Sequence, residues 1–344
     1  MQVYISTWGD PSGWSRVKYI KKDGSDVDSF TVLSAYDNCD KLLLLVQDSI
    51  LVHKPGRNVD IKDCIDKTSD TVLNPFNNSS TPSEAYKNWL RTVEEYTLCS
   101  VQKAGVDKNK VKVIALPGIG KFKGQSVEYH FGVLNVKQKN VPAQPSPDQG
   151  APNMQKKVYL PLSYLESLLA YNLYNELSKM KVEKIVLDIT HGINYFASLA
   201  QTVTTRIASL LNVKLEVIDF IPTETNVEYM YEKVFSKDRA KFDIENIKKL
   251  KEGQKKALVL SLQFGSILPI FYICRERENG MPNYSQKFID NTRITKEGQN
   301  LFSVVTSPIQ DLDNSDEVWA DLIFDYVCEK LKGIKDQGGY YSLQ

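Results

Sequence analysis

The chain has 344 residues, 42% of them apolar, and 43 basic side chains balance 42 acidic ones for a net charge of +1. That length suits two domains, or one domain with a large appendage, around a substantial core. Near-neutrality argues against a protein that coats nucleic acid by bulk charge, so an anionic ligand must be held by a local site.

Residues Gln2–Ser6 read as a first strand that runs into Thr7–Trp14, a loop dense in glycine, proline and hydroxyls. The loop after the first strand is where α/β sheets place ligand-contacting groups. Its tryptophans, Trp8 and Trp14, read either as a base-stacking platform or as loop anchors. Phe30–Cys39 suggests a short helix, and Lys41–Leu51, with Leu42–Val46 at its centre, a second buried strand ending in the polar Gln47, Asp48 and Ser49. A polar region, 55–82, follows. A helix from Ser83 to Ala104 is signalled by Ser83 as a cap and by Ala85, Trp89, Val93 and Tyr96.

Lys110–Leu116 reads as a third strand opening on the glycine-rich, basic loop Pro117–Gly124, which carries Gly118, Gly120 and Lys121. Its Gly-x-Gly-x-x-x-Gly spacing is no dinucleotide fingerprint. Val127–Lys137 alternates like a hairpin, Val141–Pro152 is a Pro-rich loop, and Tyr159–Met180 is an amphipathic helix with Leu165, Leu168, Leu169, Leu173 and Leu177 on one face.

Next come a β-branched-rich strand, Ile185–Ile189, a tight polar turn, Thr190-His191-Gly192, and a helix through Leu199, Val203, Ile207 and Leu211. Strands at Lys214–Phe220 and Asn226–Phe235 follow, the last read as antiparallel to its neighbour. The order βαβαβ…αβαβ is that of a doubly wound, mostly parallel sheet. We place this domain at 1–236 and a mainly helical C-terminal domain at 237–344, where Lys237–Lys256 is charged and helix-prone and Val318–Leu331 is an amphipathic helix.

No apolar run approaches the ~18 residues of a membrane-spanning helix, and Met1–Ser6 opens without a basic leader, so a cytoplasmic, membrane-free protein is expected. Cys39, Cys64, Cys99, Cys274 and Cys328 are widely spaced, which fits reduced thiols. The three histidines, His53, His130 and His191, lie far apart. Neither a zinc pattern nor a Gly-x-x-x-x-Gly-Lys-Ser/Thr loop is present, so the expected site needs no metal or cofactor. What remains is a set of polar loops at strand carboxyl ends, which a doubly wound sheet gathers on one edge. At the strand–helix junction, Gly192 permits close approach and the helix dipole favours negative charge, as for a phosphate. Thr190-His191-Gly192 read alone is equally a helix cap with a satisfied histidine.

The stretch Asp188-Ile189-Thr190-His191-Gly192-Ile193-Asn194 resembles the second ligand motif of CRISPR-associated Rossmann-fold (CARF) proteins of type III CRISPR systems. The first motif of that family falls on Ser6–Trp14, and the resemblance extends to about Ser236. It implies a homodimer that binds a cyclic oligoadenylate, usually cyclic tetra-adenylate, across its two-fold axis. Many such proteins carry a ribonuclease domain with an Arg-x-x-x-x-His motif, but these residues hold no histidine after His191. The resemblance therefore implies either a ring nuclease, which cuts the cyclic messenger without metal to leave a 2′,3′-cyclic phosphate, or a non-catalytic sensor or adaptor. An ordinary nucleotide enzyme is the third reading. The expected catalytic residues are Ser12, Ser6, His191 and Asn194; some ring nucleases have lysine at the position of Asn194. The expected ligand contacts are Thr7, Trp8, Gly9, Asp10, Trp14, Asp48, Ser49, Gly118, Gly120, Lys121, Thr190 and Gly192.

Overall fold

The computed structural model describes residues 1–52, 58–72, 81–124, 127–136, 156–192, 194–223, 228–237, 251–264, 270, 273–274 and 280–332. Thirteen strands and eight helices in these residues are numbered here in chain order. The apolar runs of the sequence become the parallel centre of one sheet: β1 (Gln2–Trp8), β4 (Lys41–Gln47), β5 (Val111–Leu116), β9 (Lys184–Asp188) and β10 (Lys214–Pro222). With β11 (Glu228–Lys237), β2 (Val17–Ile20) and β3 (Asp26–Ser29) the sheet has eight strands in the order β3-β2-β11-β10-β9-β1-β4-β5. The expected doubly wound, mostly parallel α/β sheet is present, and β11 runs antiparallel to β10 as read.

Strand β1 sits between β9 and β4, with Ser6 opposite Asp188 and Leu44. Apart from β2 and β3, which the chain places beyond β11, it builds β4 and β5 on one side of β1 and then β9 and β10 on the other. That reversal is a topological switch point, where loops diverge and open a crevice at the carboxyl ends. The loop after β1 and the turn after β9 flank it. Helix α2 (Pro82–Lys103) connects β4 to β5, α3 (Leu162–Leu177) precedes β9, and α4 (Asn194–Leu211) connects β9 to β10. Val203 and Ile207 of α4 and Leu165, Leu169 and Leu173 of α3 are fully buried, as their helical spacing demands.

A second sheet holds β12 (Thr292–Lys296), β13 (Leu301–Thr306), β7 (Glu128–Val136) and β6 (Gly120–Lys123), with β8 (Lys156–Tyr159) also on β7. The C-terminal segment thus contributes a hairpin, β12–β13, whose second strand pairs parallel with β7. It also contributes helices α5 (Glu252–Phe264), α6 (Tyr284–Asn291), α7 (Gln310–Asp313) and α8 (Ser315–Lys332). Helix α8 packs on α3, where Trp319 and Arg206 meet at the Glu166 carboxylate.

Several local expectations are corrected. Phe30–Cys39 holds one 3₁₀ turn, Val32–Ala35, capped by Thr31, because two aspartates and an asparagine at 37–40 end it. Strands β2 and β3 were not expected: each is four residues long and bears charge. The polar region contains α1 (Lys62–Val72), and Thr81, not Ser83, caps α2 through its hydroxyl on the Glu84 N–H, with Pro82 in the first turn. Gly120–Lys123 is strand rather than loop, and 128–136 is one strand paired with it. The Pro-rich loop lies outside the described residues. The thiol expectation also fails: Cys64–Cys99, between α1 and α2, and Cys274–Cys328 form disulfides, and only Cys39 is free. Among the described residues no helix is long and apolar enough to cross a membrane.

Candidate functional site

The turn after β9 is built on Asp188. Its buried carboxylate accepts the Thr190 N–H (2.9 Å) and hydroxyl (2.5 Å) on Oδ1, and the Ser6 (3.1 Å) and Tyr36 hydroxyls on Oδ2. Burial raises the Asp188 pKa, and these donors oppose the rise. Thr190 Oγ1 in turn accepts the Phe220 N–H at 2.9 Å, so the turn is held to both β1 and β10.

Across the switch point the Thr7 hydroxyl donates to the His191 carbonyl at 2.5 Å. Gly192 follows at φ +142°, a backbone state that L side chains rarely adopt, and a Cβ there would come within 3.0 Å of Thr7 Oγ1. Gly192 is exposed, just ahead of α4, whose N-terminal dipole favours an anion. The His191 ring stacks flat on Trp14, with centroids 4.1 Å apart and planes 20° apart, and its Nε2 meets the Tyr19 hydroxyl at 3.2 Å. Burial among these rings lowers its pKa from 6.5 to about 4, so at neutral pH it offers a hydrogen bond but no charge. The excursion of the chain from β1 to β2 at the far edge of the sheet is what brings Trp14 and Tyr19 to it.

The rest of the loop after β1 is organised by Asp10. It accepts the Ser12 N–H (3.0 Å) and hydroxyl (2.5 Å) and the Tyr96 hydroxyl of α2 (3.0 Å). Ser12 is 2% exposed, and Ser6 and Thr7 are fully buried. At the end of β4, Asp48 is enclosed: its carboxylate accepts the Gly118 N–H (2.6 Å) and the Tyr86 hydroxyl (2.9 Å), and burial pushes its pKa up to about 7. Gly118 is required, since a Cβ would stand 2.6 Å from Ser49 Oγ. Between these loops lies a cavity of about 150 Å³ lined by Trp8, Gly9, Asp10, Gln47, Ser49, Ile50, Val52, Phe122 and Phe196.

The structure therefore gathers Ser6, Thr7, Trp14, Thr190, His191 and Gly192 at the turn, and Trp8, Gly9, Asp10 and Ser49 around the cavity, with Ser12 bonded behind Asp10. Asp48 and Gly118 buttress the cavity through Ser49. Gly120 and Lys121 sit on β6, opposite Phe131 and His130, and line no part of the cavity. Asn194 opens α4, but its side chain lies outside the described residues. Sequence reasoning missed Tyr19, Tyr36, Tyr96, Phe122 and Phe196. Only the aromatic positions within polar segments hinted at the first three. Among the described residues no three of His, Cys, Asp and Glu converge as a metal site.

Residues 3–222 match the family described as the CARF domain of the CRISPR system endoribonuclease Csx1. A stretch of 219 residues is 25% identical to the protein named CRISPR system endoribonuclease Csx1 of Methanocaldococcus jannaschii. The match spans 63% of this chain and about a third (35%) of that protein.

Proposed function

This chain belongs to the Csx1-type CARF family of type III CRISPR systems, and from that premise we propose that it binds cyclic tetra-adenylate across the two-fold axis of a homodimer. The observation that carries the reading is the tie between the end of β1 and the turn after β9, made across the switch point by the Thr7–His191 bond, beside a glycine at φ +142° and the start of α4. That surface suits a ligand phosphate held by backbone groups and dipole rather than by a charged side chain. The cavity of about 150 Å³ is below the ~300–1,000 Å³ of a site that encloses a whole ligand. One chain then offers half a site, which supports completion by a second copy. The exposed Ile221 and Met230, paired across β10 and β11 next to Phe220, supply apolar surface for that copy.

The second reading is ring opening. One observation favours it: Asp10, which lines the cavity, takes the Ser12 hydroxyl bond, as a proton relay requires. The ligand's 2′-OH would attack its own adjacent phosphorus in line. The O2′–P bond forms, the P–O5′ bond breaks, and the 2′ proton passes to the Asp10–Ser12 pair while the leaving O5′ takes one from water. The products are a 2′,3′-cyclic phosphate and a 5′-hydroxyl. Alignment and the helix dipole at the developing charge do the work, and no metal is required. The buried state of Ser6, Thr7 and Ser12 favours binding over fast turnover.

Labelled cyclic tetra-adenylate incubated with the protein in EDTA tests both readings. Retention of the ring with no linear product supports the receptor, and slow accumulation of linear product in EDTA supports ring opening. Failure to retain or cut the ring refutes the proposal.

A further inference from the structure

We propose that the cavity beside the turn seats one purine base of the ligand, and that Gln47 selects a 6-amino over a 6-oxo purine there. This rests on the reading of the ligand as an adenylate ring and deepens it. Three aromatic rings, Trp8, Phe122 and Phe196, wall the cavity, and its polar atoms come from Asp10, Gln47 and Ser49. Such a lining fits a flat heterocycle, which stacks on aromatic faces and is read at its edge. It does not fit a phosphate, because no lysine, arginine or histidine lines it. About 150 Å³ is the space of roughly five waters, enough for a single base and too little for a nucleotide.

The walls are pre-set. Phe122 stands edge-on to Phe131, with centroids 5.6 Å apart, and the Trp8 indole N–H donates to Thr31. Gln47 closes β4 and is 5% exposed. Its Nε2 donates to the Tyr195 hydroxyl at 2.5 Å, which orients the amide. Its Oε1 has no donor among the described residues and its second Nε2–H is also unused, so the amide offers one acceptor beside one donor. An exocyclic 6-amino group donates to Oε1 while N7 accepts the free N–H, the bidentate fit by which amide side chains read adenine. In that pose a 6-oxo group sets acceptor against acceptor and leaves Oε1 unpaired.

The test is competitive binding of cyclic tetra-adenylate and cyclic tetra-inosinate to the full chain and to Gln47→Leu, with folding checked by thermal unfolding. The wild-type chain should favour the adenylate ring at least tenfold. Gln47→Leu should bind it about tenfold more weakly and bring the ratio of the two rings close to one. Gln47→Glu keeps the acceptor, because Tyr195 can turn its hydroxyl proton towards it, and should keep the preference. If Gln47→Leu does not fold, Gln47→Met gives the same readout. Equal binding of both rings by the wild-type chain overturns base selection alone, as does an unchanged ratio in a folded Gln47→Leu or Gln47→Met. Binding of neither ring overturns the adenylate reading itself.

Discussion

The Thr7 hydroxyl donates to the His191 carbonyl at 2.5 Å, and this bond ties the end of β1 to the turn after β9 across the switch point. Thr7 is fully buried, so Thr7→Val replaces the hydroxyl with a methyl of nearly the same volume and leaves a carbonyl without its donor. The expected cost is about 1–3 kcal/mol. Urea unfolding should show it, and ligand affinity should fall with it. Loss of stability with unchanged affinity would make the bond purely structural.

Gly192→Ala forces a side chain into a φ of +142° and against Thr7, whose Oγ1 would stand 3.0 Å from the new Cβ. A destabilisation of about 1–3 kcal/mol is expected from the backbone state. Gly192→Asp adds a negative charge at the start of α4, where the ligand's phosphate is placed, and should abolish binding. Affinity within twofold of wild type in a folded Gly192→Asp would remove the turn from the site.

His191 has a folded pKa of about 4, below its ordinary 6.5. The unfolded chain therefore binds the proton more tightly. The neutral, stacked histidine gives its full stability above about pH 6.5 and loses it as pH falls towards 4. His191→Gln should flatten that part of the stability profile, by at most about 3 kcal/mol over the window. Denaturation midpoints at pH 7.5 and 4.5 measure it, and an unchanged slope in the variant would contradict the assignment.

Asp48 has the opposite sign. Its folded pKa of about 7 lies above the ordinary carboxylate value, so the native chain binds the proton more tightly and stability falls as pH rises from about 4 to 7. Asp48→Asn still accepts the Gly118 N–H and carries no charge. It should match wild type near pH 5 and exceed it at pH 8, by up to about 4 kcal/mol. A variant less stable than wild type at pH 8 would show that the ionised carboxylate is needed.

Apolar runs made much of the fold legible. Leu42–Val46 and Ile185–Leu187 have no place but a sheet interior, and Leu165, Leu169 and Leu173 no place but a helix face. Strands β2, β3 and β6 were illegible because they are four residues each and carry lysine or aspartate, and β2 takes its place in the sheet through pairing with the distant β11. The disulfides join cysteines 35 and 54 residues apart, a proximity set by helix packing alone. For the site, the loops were legible as polar ends of strands. What each polar atom does was not: Ser6 and Thr190 turn inward to Asp188, and Ser12 to Asp10, because partners near and far in the chain, Tyr36 and Tyr96 among them, converge on the same carboxylates.

Calorimetric titration of cyclic tetra-adenylate into the full chain tests the central claim most directly. The account predicts saturation at one ring per two chains, with Gly192→Asp silent under the same conditions. Saturation at one ring per chain, or no heat at all from a folded wild-type protein, would contradict it.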